Sequence, residues 1–138
     1  NAWDNAGNYL PGTTARRFEV ATVYKPALAG MLASLRWLEG LGYAAIYERI
    51  QSLTAHCRAT LSAIPGVTVY TPAAQAGLTS FNIDGVDPVQ ASARLGELGV
   101  LVRSVSGPAL LRASTSFYND ESDVEKLRRG IEEVISER

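Results

Sequence analysis

Residues 99–115 of this 138-residue chain read GVLVRSVSGPALLRAST, a segment in which two apolar runs flank a turn. The two runs predict strands, at Val100 to Val105 and at Ala109 to Thr115. Between them lies Ser106-Gly107-Pro108, a cluster of turn-forming residues that favours a tight reversal of the chain. We therefore predict an antiparallel hairpin at this position.

The first stretch of the chain, Asn1 to Tyr24, is predicted to be irregular, with only Arg17 to Thr22 extended. Two helices and then two short strands are predicted between this stretch and Asp84. A helix is predicted from Pro26 to Gly40, because apolar residues recur there at the spacing of one helix face. A second helix is predicted through Ile46 to Ile64, where Pro65-Gly66 stops it. Period-two patterns then predict two strands, at Val67 to Thr71 and at Leu78 to Asp84.

Two further helices flank the hairpin. The first is predicted to have Asp87 as its N-cap, Pro88 at its first position and Gly99 as its C-cap. The second is predicted to open at Asn119, with an acidic first turn that suits the positive end of the helix dipole. This order of elements predicts an α+β fold, in which a small, mostly antiparallel sheet has helices packed on one face.

The composition is that of a soluble globular protein. Hydrophobic residues make up 46% of the chain and charged residues 20%, with a formal net charge of -1. This balance argues against a nucleic-acid or anionic-membrane surface, since either needs a concentrated basic patch. With one cysteine and one histidine, the chain cannot form an internal disulfide, and we expect no metal site.

The start of the chain carries no targeting signal. Residues 1–4 read NAWD, without a basic region followed by an apolar stretch. No apolar run approaches the roughly 20 residues that cross a bilayer, so we expect a cytoplasmic protein without a membrane partner. The only methionine is Met31, and we expect the chain to be a piece of a longer protein.

Arg112 is the side chain most indicative of chemistry. It shares one face of its predicted strand with Leu110 and Ser114, and a charge in an apolar strand must find an anion. That anion is either an acidic side chain or a substrate carboxylate, which arginine binds with two parallel hydrogen bonds. Arg103 on the neighbouring strand would add a second guanidinium, and two converging arginines fit an anionic ligand better than a surface ion pair.

The other reactive side chains are predicted to be structural. Cys57 falls in the apolar stripe of its helix, where free cysteine behaves as a small hydrophobe. His56 precedes it, and consecutive helix residues point about 100° apart, so the two do not converge on one substrate atom. Lys126 is predicted to be a surface charge, and nothing near Lys25 suggests the desolvation that Schiff-base chemistry requires.

Several short motifs follow one another along the chain. They are RFEVAT at 17–22, the leucine-rich helix after Pro26, IPGV at 64–67, GVLVR at 99–103, LRAS at 111–114 and YN at 118–119. Together they resemble the C-terminal part of the class V aminotransferases, pyridoxal-phosphate enzymes that include cysteine desulfurases and isopenicillin N epimerase-like proteins. The resemblance runs from about Arg17 to the end of the chain.

The resemblance implies a fold-type I enzyme that acts on an amino acid and uses pyridoxal 5′-phosphate. Residues 1–24 would be an irregular tail of a preceding large domain, and residues 25–138 the C-terminal small domain. The resemblance also implies that Arg112 binds the α-carboxylate of the substrate and that Arg103 lies near it. Thr22 would reach the cofactor phosphate held by the other subunit of a homodimer; beside it the chain has Ala21 where the family has glycine.

Two family features are absent from the sequence. The Schiff-base lysine of the family lies upstream of this region, so we expect the chain alone to be inactive. The loop at 104–108 reads SVSGP and lacks the nucleophilic cysteine that desulfurases carry there. Cysteine desulfurase is therefore disfavoured, while an aminotransferase, an epimerase or a C–S lyase remains open.

Two hypotheses in which the protein is not an enzyme also remain open. A free-standing α+β module could bind a small carboxylate or a partner protein through the uncovered face of its sheet. A degenerate family member could be kept for a structural role.

Overall fold

The computed structural model describes residues 2–19, 22–73 and 76–138. The chain divides into two compact units, Asn1–Gly40 and Leu41–Arg138. We call them the first and second unit. The domain boundary expected after Tyr24 stays a prediction.

The first unit begins with a two-stranded hairpin. Strand β1 is Ala2–Trp3 and strand β2 is Tyr9–Leu10, paired antiparallel. The carboxylate of Asp4 organises the turn, because its Oδ1 accepts hydrogen bonds from the backbone N–H groups of Ala6 and Asn8 at 2.9 and 2.8 Å. The prediction that residues 1–24 are irregular did not include this hairpin. The hairpin depends on one side chain that accepts hydrogen bonds from several backbone N–H groups.

A short 3-10 helix, Ala15–Phe18, follows in the first unit. The expectation of an extended segment from Arg17 to Thr22 is therefore wrong at its start. Residues 20 and 21 lie outside the described residues, so that expectation is not tested there.

Helix α1 spans Lys25–Leu41, within one residue of the predicted bounds at each end. Its predicted apolar stripe is present, but none of its residues is buried. The members of the stripe are Leu28, Met31, Leu32, Leu35 and Leu38. Periodicity thus predicted the helix correctly without indicating how much of its apolar face would be covered.

The second unit confirms the α+β prediction. In chain order its elements are helix α2 (Tyr43–Ser62), strands β3 (Val67–Val69) and β4 (Leu78–Ile83), helix α3 (Pro88–Glu97), strands β5 (Arg103–Val105) and β6 (Leu110–Ser114), and helix α4 (Glu121–Ser136). The strands form one sheet in the order β3-β4-β6-β5, and every neighbouring pair is antiparallel.

Helices α2, α3 and α4 pack on one face of this sheet. Strands β4 and β6 supply Phe81, Ile83, Leu111 and Ala113 to the core. The helices supply Leu53, Cys57, Leu61, Ala91, Leu95, Val124, Leu127, Ile131 and Val134. Because successive strand residues point to opposite faces, the intervening residues of β4 and β6 lie on the other side of the sheet, which we call the outer face.

The predicted strand from Val100 is shorter than expected, because β5 begins only at Arg103. The backbone N–H of Val100 donates to the carbonyl of Leu95, and the carbonyl of Val102 accepts from the hydroxyl of Ser92. These bonds tie residues 100–102 to α3 instead of to β6. A preference for extended backbone could not reveal this tertiary contact.

Side-chain caps fix the starts of α3 and α4. Asp87 caps α3 as predicted, accepting from the backbone N–H groups of Val89 and Gln90. For α4 the N-cap is Asp120, which forms a reciprocal capping box with Asp123, so the assignment of Asn119 to this role is wrong by one residue. The Asn119 side chain instead accepts from the backbone of Ser116.

An ion pair joins α2 to α4 and makes the free energy of unfolding depend on pH. The Arg49 guanidinium lies 2.7 Å from a Glu121 carboxylate oxygen and lowers the pKa of that carboxyl from its ordinary value of 4.5 to about 2. Because the folded pKa lies below the unfolded one, the ionised carboxylate stabilises the fold above pH 4.5, and this contribution is lost as the pH falls towards 2.

Arg49→Met is therefore expected to reduce the loss of stability that occurs when the pH is lowered. Urea midpoints at about pH 5 and about pH 3 should differ less in this variant than in the parent sequence. Arg129→Met is the control: Arg129 lies 3.7 Å from Glu125, and Arg128 still holds that carboxylate at 2.6 Å, so this variant should retain most of the difference. If the urea midpoint of Arg49→Met shifted with pH as much as that of the control, the role of Arg49 in lowering the pKa of Glu121 would be contradicted.

No helix in the described ranges is both long enough and apolar enough to span a lipid bilayer.

Candidate anion site on the outer face of the sheet

The strand register brings the two predicted arginines together. Arg103 of β5 and Arg112 of β6 are direct cross-strand partners, and Ser80 of β4 is the partner of Arg112 on its other side. Phe81 and Leu111, one residue along, belong to the core. The row Arg103, Arg112, Ser80 therefore lies on the outer face, with the three side chains pointing away from the helices.

Arg112 is partly buried, and its charge has no acidic partner within the described part of the chain. Its Nε atom is enclosed by protein and makes no hydrogen bond there. Other arginines of the second unit are neutralised, since the guanidinium nitrogens of Arg49, Arg94 and Arg128 lie 2.6 to 2.7 Å from glutamate oxygens. The salt-bridge alternative left open by the sequence thus finds no carboxylate among the described residues.

Two guanidinium groups facing each other across a strand pair repel one another. Like charges at directly opposite positions destabilise a sheet, and a partly desolvated charge adds a further cost. An anion bound between the two would remove both penalties through charge-assisted hydrogen bonds. The geometry therefore suits a carboxylate, sulfate-like or phosphate-like group at Arg103 and Arg112.

The turn between β5 and β6 carries no thiol. Gly107 has a positive φ of 74°, a backbone conformation that glycine adopts without steric cost, which explains why glycine stands there. The single cysteine, Cys57, has no exposed surface, and burial raises the pKa of its thiol. Cys57 is thus a core residue as predicted, while His56 beside it is exposed.

The remaining predicted residues lie elsewhere. Thr22 is an exposed residue in a bend before α1, in the first unit, and Ala21 lies outside the described residues. Lys25 is the exposed first residue of α1. Lys126 is exposed on α4, with its Nζ 3.8 Å from an Asp123 oxygen, as expected of a surface charge.

A cavity of about 290 Å³ opens between α4 and residues 99–102. Cys57, Val100 and Leu127 are among its apolar lining residues, and Asn119 and Asp123 are among its polar ones. Asn119 donates to Asp123 at 3.0 Å, so these two groups already satisfy each other. The sequence did not predict this cavity, because it results from the separation of residues 100–102 from β6.

Two polar side chains of the outer face were not identified as site residues from the sequence. Ser80 and Asn82 alternate with the buried Thr79, Phe81 and Ile83 along β4. The period-two pattern put them on the face opposite the core, but only the register places Ser80 beside Arg112. Pairing between β4 and β6, which are separated by a helix in sequence, could not be read from either strand alone.

Comparisons with known proteins give a consistent result. The profile of the family described as Aminotransferase class-V matches residues 8–127. A cysteine desulfurase of Escherichia coli is 28% identical over 96% of this chain and 38% of its own length. A probable cysteine desulfurase of Halalkalibacterium halodurans is 30% identical over 86% of this chain and 32% of its own length.

Solved structures show the same likeness. The cysteine desulfurase of Thermococcus onnurineus, in its apo form, superposes with a TM-score of 0.79 at 25% identity, covering all of this chain and 38% of its own. The cystine C–S lyase C-DES, in complex with cysteine persulfide, gives a TM-score of 0.76 at 28% identity, covering 94% of this chain and 35% of its own. The chain thus spans less than two-fifths of the length of these relatives.

Proposed function

This chain belongs to the class-V aminotransferase family, and from that membership we propose that it is the substrate-carboxylate-binding part of a larger enzyme acting on an amino acid. Pyridoxal 5′-phosphate is the cofactor of this family, and the neighbour C-DES is described with glycine linked to it. The observation that carries the proposal is the cross-strand pair Arg103–Arg112, whose positive charge has no carboxylate partner within the described ranges.

The role proposed for Arg112 is to hold the substrate by its carboxylate. Its two terminal nitrogens match the two carboxylate oxygens, and its partly buried position strengthens the interaction relative to water. Arg103, more exposed on the edge strand β5, would contribute a second positive charge. Fixing the carboxylate also fixes the orientation of the bonds at the substrate α-carbon, which determines the bond to be broken.

The partly buried guanidinium of Arg112, which has no acidic partner among the described residues, fits a site that is completed when its terminal nitrogens bind a carboxylate next to the cofactor. When bound, pyridoxal phosphate supplies the electron sink for the reaction at the α-carbon. From this chain, the exposed hydroxyl of Thr22 would donate a hydrogen bond to the cofactor phosphate, within a homodimer. The lysine that holds the cofactor would come from the part of the enzyme that precedes this region.

Among the reactions of the family we favour C–S bond cleavage without a protein-bound persulfide. The curated relatives reported above are named cysteine desulfurases, the activity that the thiol-free turn disfavours in this chain, and C-DES is described as a cystine C–S lyase. The β5–β6 turn offers no thiol, and Cys57 is buried with a raised pKa, so this chain provides no group to accept sulfur. Aminotransferase and epimerase activities remain the alternatives.

The proposal predicts that cofactor binding requires the full-length enzyme. Purified full-length protein should show the visible absorbance of bound pyridoxal phosphate, whereas the 138-residue chain mixed with the cofactor should not. Full-length protein without this absorbance would contradict the proposal. Binding of amino acids by the 138-residue chain alone, measured by calorimetry, would instead favour a non-catalytic carboxylate-binding module.

A further inference from the structure

We propose that Asn82 is a positioning residue for Arg112: its side-chain carbonyl receives the Nε–H of Arg112 and orients the guanidinium towards the substrate carboxylate. This inference rests on the proposed function, in which Arg112 binds that carboxylate. It concerns a residue on β4 that neither the motifs nor the comparisons single out.

The register makes Asn82 and Arg112 diagonal neighbours on the outer face. Ser80 is the cross-strand partner of Arg112, and Phe81 is the partner of Leu111. One step further, the same register places Leu110 beside Asn82. Diagonal neighbours in an antiparallel pair lie about 7–8 Å apart, within reach of a long side chain such as arginine.

Both residues bury an unsatisfied polar atom, and the two atoms are complementary. Oδ1 of Asn82 is a hydrogen-bond acceptor and Nε of Arg112 is a donor, and each is enclosed by protein without a partner among the described residues. Leu110, which neighbours both residues on the same face, is 8% exposed, so little water reaches this region. A buried donor and acceptor left unpaired cost free energy, which a rotation of the long arginine side chain would recover by joining them.

The chemistry of the guanidinium explains why a neutral amide suits this position. A carboxylate bound by the two terminal nitrogens of Arg112 leaves the Nε–H free. An amide carbonyl satisfies that donor and fixes the plane of the guanidinium without neutralising its charge. An aspartate or glutamate in the same place would compete with the substrate for the arginine.

The test uses a pair of probes that differ by the carboxylate alone. Glycine and methylamine are titrated separately against the full-length enzyme loaded with its cofactor, and binding is followed by the visible absorbance. Asn82→Leu removes the acceptor at similar volume and is expected to weaken glycine binding about tenfold while leaving methylamine binding unchanged. Thr68→Val is the matched control, since Thr68 is the cross-strand partner of Asn82 on the side away from β6, and it should change neither.

A double-mutant cycle separates this inference from the proposed function. Lysine carries a single ammonium group and lacks the Nε–H of arginine. In an Arg112→Lys background, the Asn82→Leu change should therefore weaken glycine binding only slightly. The positioning role would be overturned if Asn82→Leu weakened glycine binding equally in both backgrounds, or if it weakened glycine and methylamine binding equally.

If Asn82→Leu is poorly folded, Asn82→Ala is measured in its place with the same expectation. Glycine binding that is weakened by Arg112→Lys but not by the Asn82 variants overturns this inference alone; glycine binding insensitive to Arg112→Lys overturns the proposed function as well.

Discussion

Arg112→Ala in the full-length enzyme is expected to lower kcat/KM for its amino-acid substrate by about 30-fold to 4,000-fold, equivalent to about 2–5 kcal/mol. The loss has two sources. The substrate carboxylate loses a bidentate partner, and the site that received it becomes less positive. Because the arginine also orients the α-carbon, we expect kcat to fall together with the apparent affinity.

A matched control comes from another arginine of the same unit. Arg128 on α4 pairs with Glu125 and Glu132, and Arg128→Ala should leave kcat/KM within about twofold, as surface ion pairs contribute little. The comparison is made at equal cofactor loading, so that a folding defect is not mistaken for a loss of binding. Arg112→Ala with the kcat/KM of the parent enzyme would remove Arg112 from the site.

Gly77→Ala is expected to lower the free energy of unfolding of the 138-residue chain by about 3 kcal/mol. A Cβ at this position would lie 1.9 Å from the backbone carbonyl oxygen of Thr115, and a backbone atom cannot move aside as a flexible side chain can. The carbonyl of Gly77 also accepts the backbone N–H of Thr115 at 2.7 Å. The added methyl would force these segments apart at the end of β6, next to Ser114.

Gly96→Ala is the control for this substitution. Gly96 lies within α3, and a Cβ there would meet no atom within 4 Å. Alanine in a helix is favoured over glycine by about 0.5–1 kcal/mol, so this variant should be slightly more stable than the parent sequence. Urea unfolding of the two variants measures the contrast, and a Gly77→Ala protein with an unchanged midpoint would show that β4 and β6 do not approach as closely as the structure indicates.

Local patterns predicted most of the second unit correctly. The hairpin turn at Ser106-Gly107-Pro108, the helix cap at Asp87 and the alternation along β4 each depend on residues close in sequence, so the sequence alone was sufficient. The same patterns predicted that the two arginines lie on neighbouring strands. Their direct cross-strand pairing, with Arg103 opposite Arg112, depends on the length of the turn and became clear only in the structure.

The wrong predictions involve competing hydrogen bonds that local patterns do not rank. Residues 100–102 are apolar, and the sequence predicts a strand there. Hydrogen bonds to Ser92 and Leu95 tie these residues to α3, so they do not pair with β6. Asn119 and Asp120 are both good helix caps, and Asp120 takes the role because Asp123 completes a reciprocal pair with it. In the candidate site, Ser80 and Asn82 were missed because their position beside β6 is a property of the sheet and not of β4.

The most direct measurement is a crystal structure of the full-length enzyme with an amino acid bound. We predict that the carboxylate oxygens of that ligand lie about 2.8 Å from the terminal nitrogens of Arg112, on the outer face of the sheet and within reach of Arg103. A carboxylate bound to other residues, with Arg112 facing solvent or paired with an acidic side chain, would contradict the assignment of this arginine to the substrate.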